Sequence, residues 1–270
     1  MNTPDPQDLR REVEERQWYH TLELAPGVLT PGWFDTRQVA GELPIPASLD
    51  GLRCLDIGTF DGFWAFTMEG RGAREVVAVD LLDPRRFDWP VNSERATIAE
   101  IGKRKGQGEG FEIARRALGS RVQRMEMSVY DLDRKQVGGF DFIYLGSLLL
   151  HLRDPVRALE RVRDVCDGSL LVVDSINLPL SLAAPRRPLA SLDGLGRPWW
   201  WNPNLAGLER MVVAAGFRVL RPPRRVYIEP GAGQPLPAPH PRLLLRRRGR
   251  EALLLGRRGS PHGAVLAAPA

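Results

Sequence analysis

Asp56, Asp61 and Asp80 are the residues of this chain whose types and spacing describe a ligand site most plainly. Asp56 and Asp61 flank Gly58 in the run Cys54-Leu-Asp-Ile-Gly-Thr-Phe-Asp-Gly62, where an apolar strand core meets a tight turn. About twenty residues further on, Glu75-Val-Val-Ala-Val-Asp80 reads as a second strand ending in an acid. That pairing is half of a nucleotide-binding βαβ unit: Gly58 lets the backbone approach a ligand, and Asp80 can accept hydrogen bonds from both hydroxyls of a ribose. The turn is not the G-x-G-x-x-G of dinucleotide sites, where bare amides at a helix N-terminus hold a pyrophosphate. Two carboxylates in that place repel phosphate and attract cations. A nucleoside bearing a sulfonium and an ammonium group, S-adenosylmethionine (SAM), suits the loop better than NAD; a βαβ crossover without a ligand is the alternative.

Further candidates stand where other strands end, which is where open α/β sheets bind ligands. After a strand at 122–127 comes Ser128-Val129-Tyr130-Asp131, placed to meet an adenine edge, although Asp131 could equally cap a turn. After a strand at 140–145, ending in Leu145, come Gly146 and then His151. His151 would sit where a methyl group is presented, so its neutral imidazole could act as general base toward an acceptor. It could also be a turn residue before the helix start at Asp154-Pro155. Asp174, at the end of a strand over 169–175, has the same two readings. The run Trp199-Trp200-Trp201 precedes a helix capped by Asn204 and either lines a cleft or wedges its loop onto the sheet.

These residues are positioned by alternating elements: strand 53–57, helix 61–71, strand 75–80, helix 110–118, strand 122–127, strand 140–145, helix 154–166, strand 169–175, helix 204–215 and strand 217–221. The alternation predicts a mostly parallel sheet with helices on both faces. Residues 1–50 form a first unit. A leading helix runs to about residue 20, and an aromatic stretch from Trp18, Tyr19 and His20 through Trp33 is expected to pack over the site as a lid. Residues 51–270 form the second unit. Within it, 84–110 reads as a mobile Gly-rich, charged loop, 222–262 as irregular, and the run from Gly263 to Ala268 as a last strand.

At 270 residues the chain can bury a sizeable core. The net charge of +5 suggests nucleic acid, but Lys103, Lys105 and Lys135 are its only lysines. Arginine enriched alongside Ala, Gly and Pro is what GC-rich coding produces without any partner. The polar, acidic N-terminus is no secretory signal, and no apolar run reaches the roughly 20 residues of a membrane span. Cys54 and Cys166 read as small buried hydrophobes, neither a disulfide nor a metal pair. A cytoplasmic protein without a metal is expected.

Taken together, Cys54 to Gly62, the acidic end at Asp80 and Phe140-Asp-Phe-Ile-Tyr-Leu-Gly146 resemble class I SAM-dependent methyltransferases over about residues 50–221. The resemblance implies a Rossmann-like, seven-stranded sheet whose last strand is antiparallel. It places Gly58, with Thr59 and Phe60, under the methionine moiety, Asp80 and Leu81 at the ribose, and Val129, Tyr130 and Asp131 beside the adenine. A narrower resemblance, carried by Trp18-Tyr-His-Thr-Leu, Gly146 to Pro155 and Trp200-Trp201-Asn-Pro-Asn204, is to the tRNA wobble-uridine carboxymethyltransferase-like family, whose type enzyme uses carboxy-SAM. Two positions depart from it. Leu150 stands where the tRNA enzymes carry a Tyr before the His, and Arg16-Gln-Trp-Tyr lacks the lysine expected near it. Ordinary SAM is therefore the expected donor. The expected acceptor is the O or N nucleophile of a small molecule, met by Tyr19, His20, Trp33, Trp200 and Trp201. A tRNA acceptor and a non-catalytic SAM binder are the alternatives.

Overall fold

The alternating apolar residues of Val76-Val-Ala-Val79 show how the chain is layered. Val76 and Ala78 face one core, which also holds Trp18, Phe63, Trp64, Phe66, Phe111 and Tyr144. Val77 and Val79 face the other, with Leu55, Ile143, Leu159, Val172 and Leu208. Strands buried on both faces need helices on both sides, and the computed structural model supplies them; it describes residues 5–195, 198–236 and 258–270.

The N-terminal part runs α1 (Pro6–Glu14), β1 (Trp18–His20), β2 (Glu23–Ala25), β3 (Val28–Leu29), β4 (Gly32–Asp35) and α2 (Arg37–Glu42). Next come β5 (Arg53–Ile57), α3 (Phe63–Gly70), β6 (Glu75–Asp80), α4 (Arg95–Lys105), α5 (Glu109–Ala117), β7 (Gln123–Glu126), α6 (Arg134–Val137), β8 (Phe140–Gly146), α7 (Pro155–Val165) and β9 (Cys166–Ser175). The chain closes with α8 (Leu178–Ala183), β10 (Ala190–Leu192), β11 (Trp201–Pro203), α9 (Leu205–Ala214), β12 (Phe217–Val219), β13 (Arg224–Pro230) and β14 (Ser260–Pro269). Helix starts follow their caps. Asp154 accepts from Arg157 N at 3.1 Å ahead of Pro155, and Asn204 accepts from Gly207 N at 2.8 Å. The helices expected at 110–118, 154–166 and 204–215 form within a residue at either end.

The sheet order is β1-β4-β13-β14-β9-β8-β5-β6-β7. β5 to β9 pair in parallel and β14 runs antiparallel to β9. β12 lies on the far edge of β14, completing the seven expected strands with the antiparallel one next to the edge. Three more strands make it a ten-stranded sheet among the described residues. β13 continues along the same edge of β14 and carries β4, then β1.

Three expectations are corrected. The stretch 222–262 is not irregular throughout, because Val226 and Ile228 are buried between outward-facing Arg225, Tyr227 and Glu229, the period of a strand. Its portion 237–257 lies outside the described residues, as do Met1 to Pro4. The leading helix stops at Glu14, where Trp18 turns into the core and donates from Nε1 to Val13 O at 3.0 Å. The supposed loop 84–110 contains α4, which ends on left-handed Gly106 (φ 49°), so the glycines that suggested mobility are the helix terminator. Chain order reverses between β5 and β8, and the candidate residues gather at the carboxyl ends of these strands.

Candidate functional site

Asp80 ends β6 with one carboxylate oxygen on the turn after β5 and the other on the amide that follows it. Oδ2 accepts from Phe60 N at 2.7 Å, and Oδ1 accepts from Leu81 N at 2.8 Å. Gly58 takes φ 79° and Phe60 φ 53°, so the turn is left-handed at both residues; the Gly58 amide donates to Val79 O at 2.9 Å and the Phe60 amide to the acid. The remaining Asp80 contact is an ion pair with Lys105 at the end of α4. The Lys105 side chain is only 3% exposed, with Nζ 4.4 Å from the centre of the Phe60 ring. The expected ribose acceptor therefore carries an internal cation that sequence spacing did not reveal.

The other two carboxylates of the turn are engaged by the protein. Asp56 is 1% exposed and accepts from Ala65 N at 3.1 Å in the first turn of α3; burial pushes it up to about 7. Asp61 accepts from the amides of Tyr19 at 2.8 Å and His20 at 2.9 Å, and from His20 Nδ1. It ties the aromatic N-terminal segment to the turn. Thr59 is buried beneath. Across the cleft, Val129 is buried, whereas Asp131 is exposed. The Tyr130 hydroxyl donates to Asp88 Oδ2 and accepts from Asp154 N, each at 3.0 Å, latching two loops together.

The end of β8 mirrors this arrangement. Leu145 is wholly buried, and a Cβ on Gly146 would meet the Tyr144 side chain at 2.6 Å. Asp174 on β9 accepts from Leu148 N at 2.8 Å, Leu149 N at 2.7 Å and Ser175 N at 2.8 Å. Burial pushes it up to about 6. Ser147 takes φ 50°, and its Oγ lies 3.1 Å from His262 Nε2 on β14. His151 donates from Nδ1 to Pro198 O at 2.5 Å, which leaves Nε2 with a lone pair, and burial lowers its pKa. The two turns touch: a Cβ built on Gly58 meets Leu148 at 3.5 Å.

Of the expected acceptor contacts, Tyr19 lies at the site, stacked on Phe60 with centroids 4.6 Å apart. His20 is buried against Asp61. Trp33 lies under the Arg104 guanidinium, 3.9 Å from ring centre to Cζ. Trp200 and Trp201 donate from Nε1 to Asp88 O at 2.5 Å and Arg153 O at 3.0 Å, so both pin loops in place. Cys54 and Cys166 are free, buried thiols, pushed up to about 12 and about 11 by that burial. Lys105, Ser147 and His262 were missed. Each is a lone residue far in sequence from its partner, and only the fold brings the pairs together.

No family model matches the chain. Over 174 residues it is 24% identical to a tRNA U34 carboxymethyltransferase of Dichelobacter nodosus, covering 64% of this chain and 47% of that protein. It is 26% identical to the Pseudomonas aeruginosa protein of the same name over 174 residues, 63% of this chain and 46% of the relative. The chain thus spans about half the length of these curated relatives. Among solved structures, the N-terminal domain of EvdMO1, crystallised in the presence of SAH and D-fucose, superimposes with a TM-score of 0.54 at 13% identity, covering 99% of this chain and 98% of that one. A putative methyltransferase in complex with the Haloferax volcanii Trm112 activator gives 0.51 at 12% identity over 87% and 88%. The fold is that of class I SAM-dependent methyltransferases. No helix among the described residues is long and apolar enough to cross a membrane.

Proposed function

We infer that this chain is a SAM-dependent methyltransferase that moves a methyl group to an oxygen or nitrogen nucleophile of a small molecule. The observation that carries the reading is Asp80, held at a strand end by the Phe60 and Leu81 amides beside left-handed Gly58, at the switch point of the sheet. The residues fit the cofactor. Asp80 would take the ribose diol in place of the Lys105 ammonium, Val129 and Leu81 would flank the base, and Gly58, with no side chain, would let the backbone approach the methionine chain. Bound there, SAM supplies a methyl group made electrophilic by its sulfonium. The chain's own part is alignment, an effect worth up to about 7–11 kcal/mol. His151, with Nε2 unprotonated, is a candidate base at the roof of the site.

The small-molecule acceptor is favoured by the fate of the basic run at 103–105. Lys105 is buried on Asp80 and Arg104 lies against Trp33, leaving Lys103 as its exposed cation. That run supplies little to hold phosphates; the second arginine-rich stretch, 242–257, lies outside the described residues. One of the solved structures that cover nearly all of the chain, the N-terminal domain of EvdMO1, was crystallised in the presence of a sugar, D-fucose. The tRNA reading rests on the curated relatives, which carry the chain's similarity over part of their length. Residues 1–50 act in this reading as the cover of the site and 51–270 as the transferase unit. Free, buried thiols accord with a cytoplasmic location.

The test is label transfer from methyl-labelled SAM into the source cell's extract, split into bulk tRNA and small-molecule fractions. Label is expected in the small molecules. Label in tRNA would move the acceptor to the wobble-nucleotide reading, and SAM binding without label in either would make the protein a non-catalytic binder.

A further inference from the structure

The residue that follows β8 combines three features that the site described so far leaves unused. Ser147 stands directly after Gly146, and the next residue, Leu148, faces Gly58 across the cleft. Its φ of 50° is uncommon for a residue with a side chain, and glycine would adopt it without strain. Its hydroxyl lies 3.1 Å from His262 Nε2, and that imidazole has a fixed tautomer because Nδ1 donates to Ser260 O at 3.0 Å. Nε2 is thus an acceptor, and the Ser147 hydroxyl donates to it. The His262 backbone is paired with Ser175 on β9 and Val226 on β13, and its buried imidazole is held at both nitrogens. A left-handed residue with a side chain at a strand end, beside an imidazole whose tautomer is set, makes this position a candidate for function.

We propose that Ser147 and His262 form the proton relay for the methyl acceptor, Ser147 Oγ contacting the nucleophile and His262 Nε2 receiving the proton. The proposal rests on the methyltransferase reading and deepens it: a relay of this kind serves a nucleophile that still carries its proton, above all an alcohol, and is superfluous for a carboxylate. Atoms and charge balance. The methyl–sulfur bond breaks with its electron pair left on sulfur, and a lone pair of the acceptor forms the new bond to carbon. The acceptor proton passes to Ser147 Oγ as the Ser147 proton passes to His262 Nε2, and once the product has left the imidazolium returns a proton to Ser147 Oγ, which is partly exposed and passes its own to solvent. One positive charge disappears at sulfur as one appears at the imidazole, so the buried site never gains a net charge.

The groups around the relay agree with these roles. Burial lowers the His262 imidazole to about 4, so Nε2 is unprotonated before transfer and the imidazolium, a weak base's acid, gives its proton up readily; burial also raises the neighbouring Tyr19 phenol, which sits beside the Ser147 hydroxyl and so remains a donor. Asp174, whose charge also bears on Tyr19, is occupied by backbone amides and does not compete for the serine proton.

Ser147→Gly separates this role from a structural one, because glycine removes the hydroxyl and the strain together. The variant is expected to melt no lower than wild type and to bind SAH within about twofold. Its kcat on the fraction that accepts label should fall by roughly a hundredfold with KM little changed, the range general-base losses reach. His262→Gln should match that loss. Nitrogen NMR on labelled wild-type protein should find the His262 proton on Nδ1, with the Nε2 signal shifting in Ser147→Gly. Wild-type turnover in Ser147→Gly, above all beside a dead His151→Gln, or a proton resident on Nε2, would overturn the relay. Absence of any transfer by wild type would instead count against the methyltransferase reading, a separate failure.

Discussion

The turns after β5 and β8 are built alike and do different work. Each follows a central parallel strand, each passes through a left-handed non-glycine residue (Phe60, Ser147), and each is fastened by an acid from the neighbouring strand. Asp80 holds the first through one of its amides, and Asp174 holds the second through Leu148 and Leu149. The difference lies in what saturates the acid. Asp174 is 1% exposed and its acceptors are filled by amides. Asp80 keeps a lone pair for a side chain at the end of a separate helix, and a side-chain cation can give way to a ligand where a backbone amide cannot. A strand-end acid is thus a ligand group or a fold group according to whether its partners can leave.

That contrast is open to direct attack. The largest expected effect is on stability: Asp174→Ala strands several buried amides and should destabilise the protein by about 3 kcal/mol, read by urea denaturation. An Asp174→Ala protein of wild-type stability would erase the distinction.

The next effect depends on pH. Asp56 has a folded pKa raised to about 7, so the folded state binds the extra proton between the unfolded value and that pH. The stability this gives is present at low pH and is lost as pH rises through about 7. Asp56→Asn removes the titration and can still accept from Ala65, so its gain in Tm should be larger at pH 8 than at pH 5, by about 5 °C. An equal gain at both would show that burial does not penalise this carboxylate. The smallest effect tests the displaceable cation. Lys105→Met frees Asp80 and removes a like charge from the path of a cationic ligand, so SAM should bind about threefold more tightly, roughly 0.6 kcal/mol. Weaker binding would mean that Lys105 helps to hold the ligand.

Sequence spacing pointed to the half of the candidate site that is local. Asp56, Gly58 and Asp80 lie within one βαβ unit, where the apolar runs fix the strands and the turn chemistry fixes the approach. It did not reveal that Asp61 would be taken by the Tyr19 and His20 amides, since that contact joins segments the pattern treats as separate units. The tryptophans at 200 and 201 looked the same whether they lined a cleft or braced loops; their indole N–H groups bond Asp88 O and Arg153 O and brace those loops, with both residues still partly exposed. β13 was hidden by flanking Pro and Gly, although its own residues alternate. Ser147 and His262 are single residues of common types, and only the antiparallel placement of β14 against β9 sets them face to face.

The central claim is that Asp80 is the anchor of a SAM site, and the direct measurement is calorimetric titration of SAM into wild type and Asp80→Ala. The account expects one site in wild type and at least tenfold weaker binding in the variant, roughly 1.4 kcal/mol. No binding to wild type, or equal affinity in both proteins, would contradict it.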